Sequence, residues 1–281
     1  MENRNIDKIS ISTCALPAKF CAEWSFAEKM AMLRQAGYEY IEFSRSTAQA
    51  LDVSEIRSAV RGNGLKVWSV HGIMHAGCIS PDPAKRQAAV EEAAQFAEAL
   101  AEYAPCPLVE HYLDRYNDPA PGRYFRESVE ALYEKVSRMG YILCIETAPW
   151  KPWENERYPD TREVAEFVRS FGKADLQMTF DVNHSNIHET LEQAAKNTAG
   201  LVKNIHVSDN HGEREEHLAP GLGLGIIDFA AAFRLLRENG YTGPCNLEFS
   251  FKDRAPTVGS LAEVRINMEK LAFGRELSAG D

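Results

Sequence analysis

Four segments of the chain carry a residue suited to metal ligation or proton transfer at the end of an apolar run. YILCIETA (141–148) holds Glu146, LQMTFDVNH (176–184) holds Asp181 and His184, LVKNIHVSDN (201–210) holds His206 and Asp209, and PCNLEFSF (244–251) holds Glu248. Strands buried on both faces read as near-continuous apolar sequence, so a carboxylate or imidazole at such a strand end needs a partner. Three earlier runs end in the same way, in Glu42, His71 and His111. Gathered in one place, these groups are costly to bury unless they are paired or bound to a cation, and a divalent metal removes that cost. Three carboxylates with one neutral imidazole suit Mn2+, Mg2+ or Co2+, and further histidines shift the preference toward Zn2+. A buried ion-pair network without activity is the competing account.

The elements that must position these residues alternate along the chain. Strands are predicted over 9–14, 38–44, 65–72, 107–112, 141–148, 176–182, within 201–210, and over 244–251. Helices are predicted over 25–37, 53–64, 81–103, 124–140, 161–172, 189–200, 228–240 and 258–274. Ser25 is the expected cap of the first helix and Thr161 of the fifth, and glycines end several helices where tight returns are needed. Eight βα units between residues 9 and 274 predict a single-domain α/β protein, a (β/α)8 TIM barrel. Its active site would lie at the C-terminal mouth of the strands, where these carboxylates and imidazoles fall. A doubly wound open sheet is the alternative, but no glycine-rich fingerprint follows the first strand, and no nucleotide cofactor is expected.

Composition narrows the function classes. A formal net charge of −10 weighs against a surface built mainly for nucleic acid, since phosphate contacts require clustered Lys and Arg. The opening MENRNIDKIS lacks the apolar core of a signal peptide, and no run approaches the roughly 18–20 apolar residues of a membrane span, so the chain reads as cytoplasmic. The six cysteines form no CxxC pair, and Cys106, Cys144 and Cys245, inside or beside apolar strands, read as small buried hydrophobes, which disfavours cysteine-held zinc.

The order Glu146, then FDVNH with Asp181 and His184, then IHVSDN with His206, then LEF with Glu248 resembles the xylose isomerase-like TIM barrels. The resemblance covers nearly the whole chain, and GLGIIDF (223–229) is similar to the glycine-containing turn that leads into helix seven of that superfamily. Its members include sugar-phosphate and ketose isomerases and epimerases, inosose dehydratases and endonuclease IV. The ketose 3-epimerases hold one divalent metal at the matching positions, which implies Glu146, Asp181, His206 and Glu248 as ligands. The resemblance also implies Glu146 and Glu248 as an acid/base pair on opposite faces of a small ketose, cyclitol or sugar phosphate, working through an enediolate. His71, His111, His184, Arg214, Glu42 and Trp150 are the expected substrate contacts. A homodimer or homotetramer is expected by the same resemblance.

Other readings use the same residues. An inosose-type dehydratase needs the same base and metal, and a sugar-binding barrel without turnover would keep the pocket. Endonuclease IV carries three zincs, and by that resemblance His71, His111 and His217 would be additional zinc ligands, with Glu215 in EEH where that enzyme has the Asp of an Asp-x-His pair. The GLGLG run (221–225) is a candidate phosphate cradle or simply a turn. Trp150, Trp153 and Glu154, in the loop after strand five, are candidates for an aromatic lid over a sugar. Asp209 is equally suited to bracing a loop or His206.

Overall fold

In a computed structural model, residues 8–44, 51–113, 119–147 and 159–274 are described. The strands are β1 (Ile9–Ser12), β2 (Tyr40–Phe43), β3 (Lys66–His71), β4 (Pro107–His111), β5 (Ile142–Glu146), β6 (Leu176–Asp181), β7 (Val202–His206) and β8 (Cys245–Leu247). They form one parallel sheet in the order β7-β6-β5-β4-β3-β2-β1-β8. A parallel bridge between Val207 and Leu247 brings the two edges together, with the Val207 amide donating to the Asn246 carbonyl at 3.0 Å and the Glu248 amide to Val207 at 3.0 Å. The expected TIM barrel is therefore the observed fold.

The main helices are α1 (Phe26–Gln35), α2 (Val53–Gly62), α3 (Pro83–Ala99), α4 (Pro119–Val136), α5 (Thr161–Arg169), α6 (Val182–His188), α7 (Leu191–Asn197), α8 (Phe229–Glu238) and α9 (Val258–Phe273). Each longer helix buries a stripe at helical spacing against the strands, such as Phe26, Met30 and Leu33 on α1 or Leu261, Val264 and Met268 on α9. Ser25 caps α1 in a capping box with Glu28, as its sequence predicts.

Several expected boundaries move, each for a local reason. The helix expected over 81–103 ends at Ala99, and a 3-10 turn over Ala101–Tyr103 follows. Asp160 rather than Thr161 caps α5, because its carboxylate reaches the Glu163 amide while Glu163 reaches back. Leu176–Asp181 passes at once into α6, which sequence periodicity did not indicate. There the Asp181 side chain accepts the His184 amide at 2.9 Å, so a residue of the site also starts the helix.

Two register shifts matter for the barrel interior. Ile41 pairs with Val67 but Glu42 with Ser69, leaving Trp68 as an extra residue, and Met178 pairs with Val202 but Thr179 with Asn204, leaving Lys203 extra. Trp68 Nε1–H then donates across to Asn204 Oδ1 at 2.8 Å. Polar positions two residues apart, 69 and 71, 179 and 181, 204 and 206, 246 and 248, therefore repeat along their strands, the upper member of each pair at the mouth.

Candidate metal centre and active site

Strand register brings the expected ligands side by side. His111 on β4 is level with Glu146 on β5, and Asp181 on β6 is level with His206 on β7. Glu146, Asp181, His206 and Glu248 each offer a ligand atom lying within 4.8 Å of the others, and all four are buried. His206 Nδ1 lies 2.5 Å from Glu146 Oε1 and 3.0 Å from Glu248 Oε2. Glu146 Oε2 and Asp181 Oδ2 are buried without a well-formed hydrogen bond. Such oxygens are what a cation would satisfy, so the donor set fits a divalent metal of the kind its chemistry predicts.

Three further groups border this one, the first of them Glu42, His71, His206 and Glu248, which shares two of its members. His71 Nε2 lies 3.2 Å from His111 Nε2, His71 Nδ1 lies 3.4 Å from Glu248 Oε1, and His111 Nδ1 lies 3.1 Å from Glu146 Oε2. On the other side His184, Glu215 and His217 cluster, with His217 Nε2 at 2.6 Å from Glu215 Oε1. His184 Nδ1–H donates to the Thr147 carbonyl at 2.6 Å, which turns Nε2 toward Asp181 Oδ2 at 3.5 Å. His217 holds a left-handed backbone, φ 47°, that a non-glycine residue seldom adopts, consistent with a side chain constrained by its surroundings.

Electrostatics follow from this crowding. Burial pushes the Glu146 and Glu248 carboxyls up, but His206 with His111 around the first, and His206 with His71 around the second, hold both well below the usual carboxylate range. Burial lifts Asp181 to about 6, with the charges of Glu146 and Glu248 adding to it and His184 opposing. Burial depresses His206, yet Glu248, Glu42 and Glu146 outweigh it and hold the imidazole well above its ordinary range. His71 is likewise depressed by burial and raised further, to about 9, by Glu248 and Glu146. Its neighbour His111 is lowered, by burial first and by His71 among the charges. His184, against Asp181 and Glu215, rises to about 10 despite burial. The protons that balance these carboxylates thus sit on the imidazoles.

The remaining expected residues divide. Glu42 is fully buried and lies under His206 rather than on the rim, with Oε2 2.9 Å from His206 Nε2. Arg214 is 65% exposed and pairs with Glu216 at 3.5 Å, and is not brought into the cluster. Asp209 braces a loop, since its carboxylate accepts the amides of Asn210, Gly225 and Ile227 at 3.0, 3.0 and 3.1 Å. The Gly225 amide of the GLGLG run is thereby already occupied, and a Cβ at Gly225 would collide with Asp209. Trp150, Trp153 and Glu154 lie outside the described residues.

Sequence reading missed Ser69 and Asn246, whose hydroxyl and amide donate to Glu42 at 2.7 and 2.9 Å. Their signal was spacing, two residues before His71 and Glu248. It also missed half-buried Cys14 after β1, whose Sγ lies 3.5 Å from the Phe249 carbonyl. Burial and the Glu248 charge push its thiol far above the ordinary range, so it is a poor nucleophile.

Comparison with known proteins finds sugar epimerases among the relatives of this chain. A ketose 3-epimerase from Arthrobacter globiformis is 25% identical over 244 residues, covering 84% of this chain and 81% of that protein. A 3-dehydro-D-guloside 4-epimerase from Escherichia coli is 21% identical, covering 77% and 84%. Among solved structures, a D-tagatose 3-epimerase-like protein superposes with a TM-score of 0.76 at 16% identity, covering 94% of this chain and 98% of the other, a likeness of fold. Residues 30–270 match the family model described as xylose isomerase-like TIM barrel, a span that contains each of the clustered carboxylates and imidazoles. The chain belongs to the xylose isomerase-like TIM barrel family.

Proposed function

We propose that this protein is a divalent-metal-dependent sugar epimerase that moves a proton at the carbon beside a ketose carbonyl. The observation that carries the reading is the meeting of Glu146, Asp181, His206 and Glu248 at the ends of four consecutive strands, with both glutamates held as carboxylates. Relatives named as ketose 3-epimerase, L-ribulose 3-epimerase and D-psicose 3-epimerase support the substrate class.

Glu146, Asp181, His206 and Glu248 would hold the metal, which when bound supplies positive charge to stabilise oxygen anions of the substrate. One of the two glutamates takes the proton from the carbon next to the carbonyl. The C–H electron pair forms the carbon–carbon double bond of an enediolate as the carbonyl oxygen takes up negative charge. The other glutamate returns a proton to the opposite face, the double bond re-forms the carbonyl, and the configuration inverts. Both groups are ionised at neutral pH, so either is able to start as base, and the one that acts as acid must first acquire a proton. His184, held by its Nδ1–H bond to Thr147, sets Nε2 between Asp181 at 3.5 Å and Glu215 at 3.8 Å, where it would meet a substrate hydroxyl.

The test is turnover of a ketose panel containing D-fructose, D-psicose, D-tagatose and L-ribulose by Mn2+-loaded protein, followed by chromatography of the epimers. Formation of the 3-epimer of at least one ketose is expected, and metal-loaded protein that binds ketoses without converting any would contradict the reading. A second reading is favoured by the His71, His111, Glu146 and His184, Glu215, His217 groups, which have metal-ligand character. In that reading two or three zincs bind per chain and abasic-site DNA is cleaved, so zinc content and a cleavage assay distinguish it.

A further inference from the structure

We infer that Glu42 selects the ring nitrogen with which His206 faces the metal site, making Glu42 a positioning residue rather than a substrate contact. The inference rests on the metal-binding reading above and concerns what lies beneath that site.

Register places Glu42 one layer down. It is level with Ser12 on β1 and Ser69 on β3, and Ser69 is two residues before His71 as Asn246 is two before Glu248. Glu42 is fully buried. Its Oε2 receives Ser69 Oγ–H at 2.7 Å, Asn246 Nδ2–H at 2.9 Å and His206 Nε2 at 2.9 Å. Turning the Asn246 amide over would set its oxygen against the carboxylate, so this edge of Asn246 donates. An oxygen that collects hydrogens from Ser69 and Asn246 is an acceptor for His206 as well, and Nε2 must carry a proton.

A neutral imidazole has a single N–H. In the metal-free protein Nδ1 also donates, lying 2.5 Å from Glu146 Oε1 and 3.0 Å from Glu248 Oε2, and a bound metal would take the place of that proton while Glu42 keeps the hydrogen on Nε2, leaving the lone pair on Nδ1. Glu42 therefore orients the ring, chooses the ligating tautomer and raises its basicity as a ligand, as carboxylates behind metal-bound imidazoles do. Ser69 and Asn246 hold Glu42 in turn, so β2, β3 and β8 all fix a ligand that β7 supplies.

The test compares the full-length wild type with Glu42→Gln. Titration calorimetry with Mn2+ should show the variant binding about 10–100-fold more weakly. A lesion of folding alone would be seen as a lowered melting temperature of the metal-free protein, so that is measured in parallel. A second measurement needs no variant. In Zn2+-loaded wild type labelled with 15N-histidine, long-range 1H–15N spectra should show His206 with a proton on Nε2 and metal on Nδ1, the signal being assigned by its loss in His206→Asn.

Equal Mn2+ affinity of wild type and Glu42→Gln would overturn the inference, as would a zinc-bound Nε2 at His206 or a crystal structure with Glu42 bonded directly to the metal. Failure of wild type to bind any divalent metal would overturn the metal reading on which it rests. Metal binding with the expected Glu42 effect but no ketose turnover would leave it standing and remove the epimerase assignment.

Discussion

Glu146 and Glu248 share His206 Nδ1 between them, and each has its own outer histidine, His111 and His71 respectively. That symmetry suits a pair of carboxylates working on two faces of one substrate. Glu146→Gln and Glu248→Gln should each lower epimerisation by about 10²–10⁴-fold, the usual range for losing a positioned acid or base. Unchanged turnover in both variants would exclude the two-glutamate mechanism. His206→Ala should weaken Mn2+ binding by more than the roughly 10–100-fold seen when only an outer partner of a ligand is lost, as measured by calorimetry. At this scale the sequence was informative wherever a charged residue interrupted an apolar run, which is how Glu146, Asp181, His206 and Glu248 stood out. It could not show that Glu42 is buried against Ser69, Asn246 and His206, because those partners come from three other strands. The exposed position of Arg214 was equally hidden, since loop geometry has no periodicity to read.

At the level of elements, the site depends on how strand ends pass into their loops. The Asp209 carboxylate holds the amides of Gly225 and Ile227 and so ties the segment before α8 to the end of β7. Asp209→Ala should destabilise the protein by about 1–3 kcal/mol, because buried donors lose their acceptor, and chemical denaturation reads this directly. A loss within experimental error would mean that water replaces the carboxylate without cost. The periodic helices were legible because capping and apolar spacing agree, as at Ser25 in α1. Helix α6 was not, since Val182–His188 is short and its start signal, Asp181, was already explained as a ligand. The lost turns after Ala99 are likewise decided by packing, as Leu100 is buried outside the helix.

For the whole molecule, eight strands and the longer helices around them were legible from alternation alone, whereas closure through Val207 and Leu247 is a property of the assembled barrel. The closed barrel concentrates carboxylates at one end, where on the proposed reading metal and protons would compete. In metal-free protein His71 and His184 are held at about 9 and about 10, above the ordinary 6.5. A folded-state value raised in this way contributes stability that is complete below pH 6.5 and is lost as pH rises through about 9 to 10. Asp181, raised to about 6, adds no further slope in that window. The melting temperature of chelator-treated protein should therefore fall from pH 6.5 toward pH 9.5, and a rise would contradict the charge assignment. Bound metal replaces some of these protons, so Mn2+ should raise the melting temperature and its affinity should increase with pH. Among the described residues no helix is long and apolar enough to cross a membrane.

On the proposed reading, metal-loaded protein removes and returns a proton beside a ketose carbonyl. That transfer is tested most directly by NMR in D2O, following the C3 proton of D-fructose or D-psicose with Mn2+-loaded enzyme, after chelation, and after restoring the metal. Deuterium is expected to enter at the carbon beside the carbonyl together with epimer formation, both lost on chelation and regained with Mn2+. Epimer formed without solvent exchange, or exchange indifferent to chelation, would contradict it.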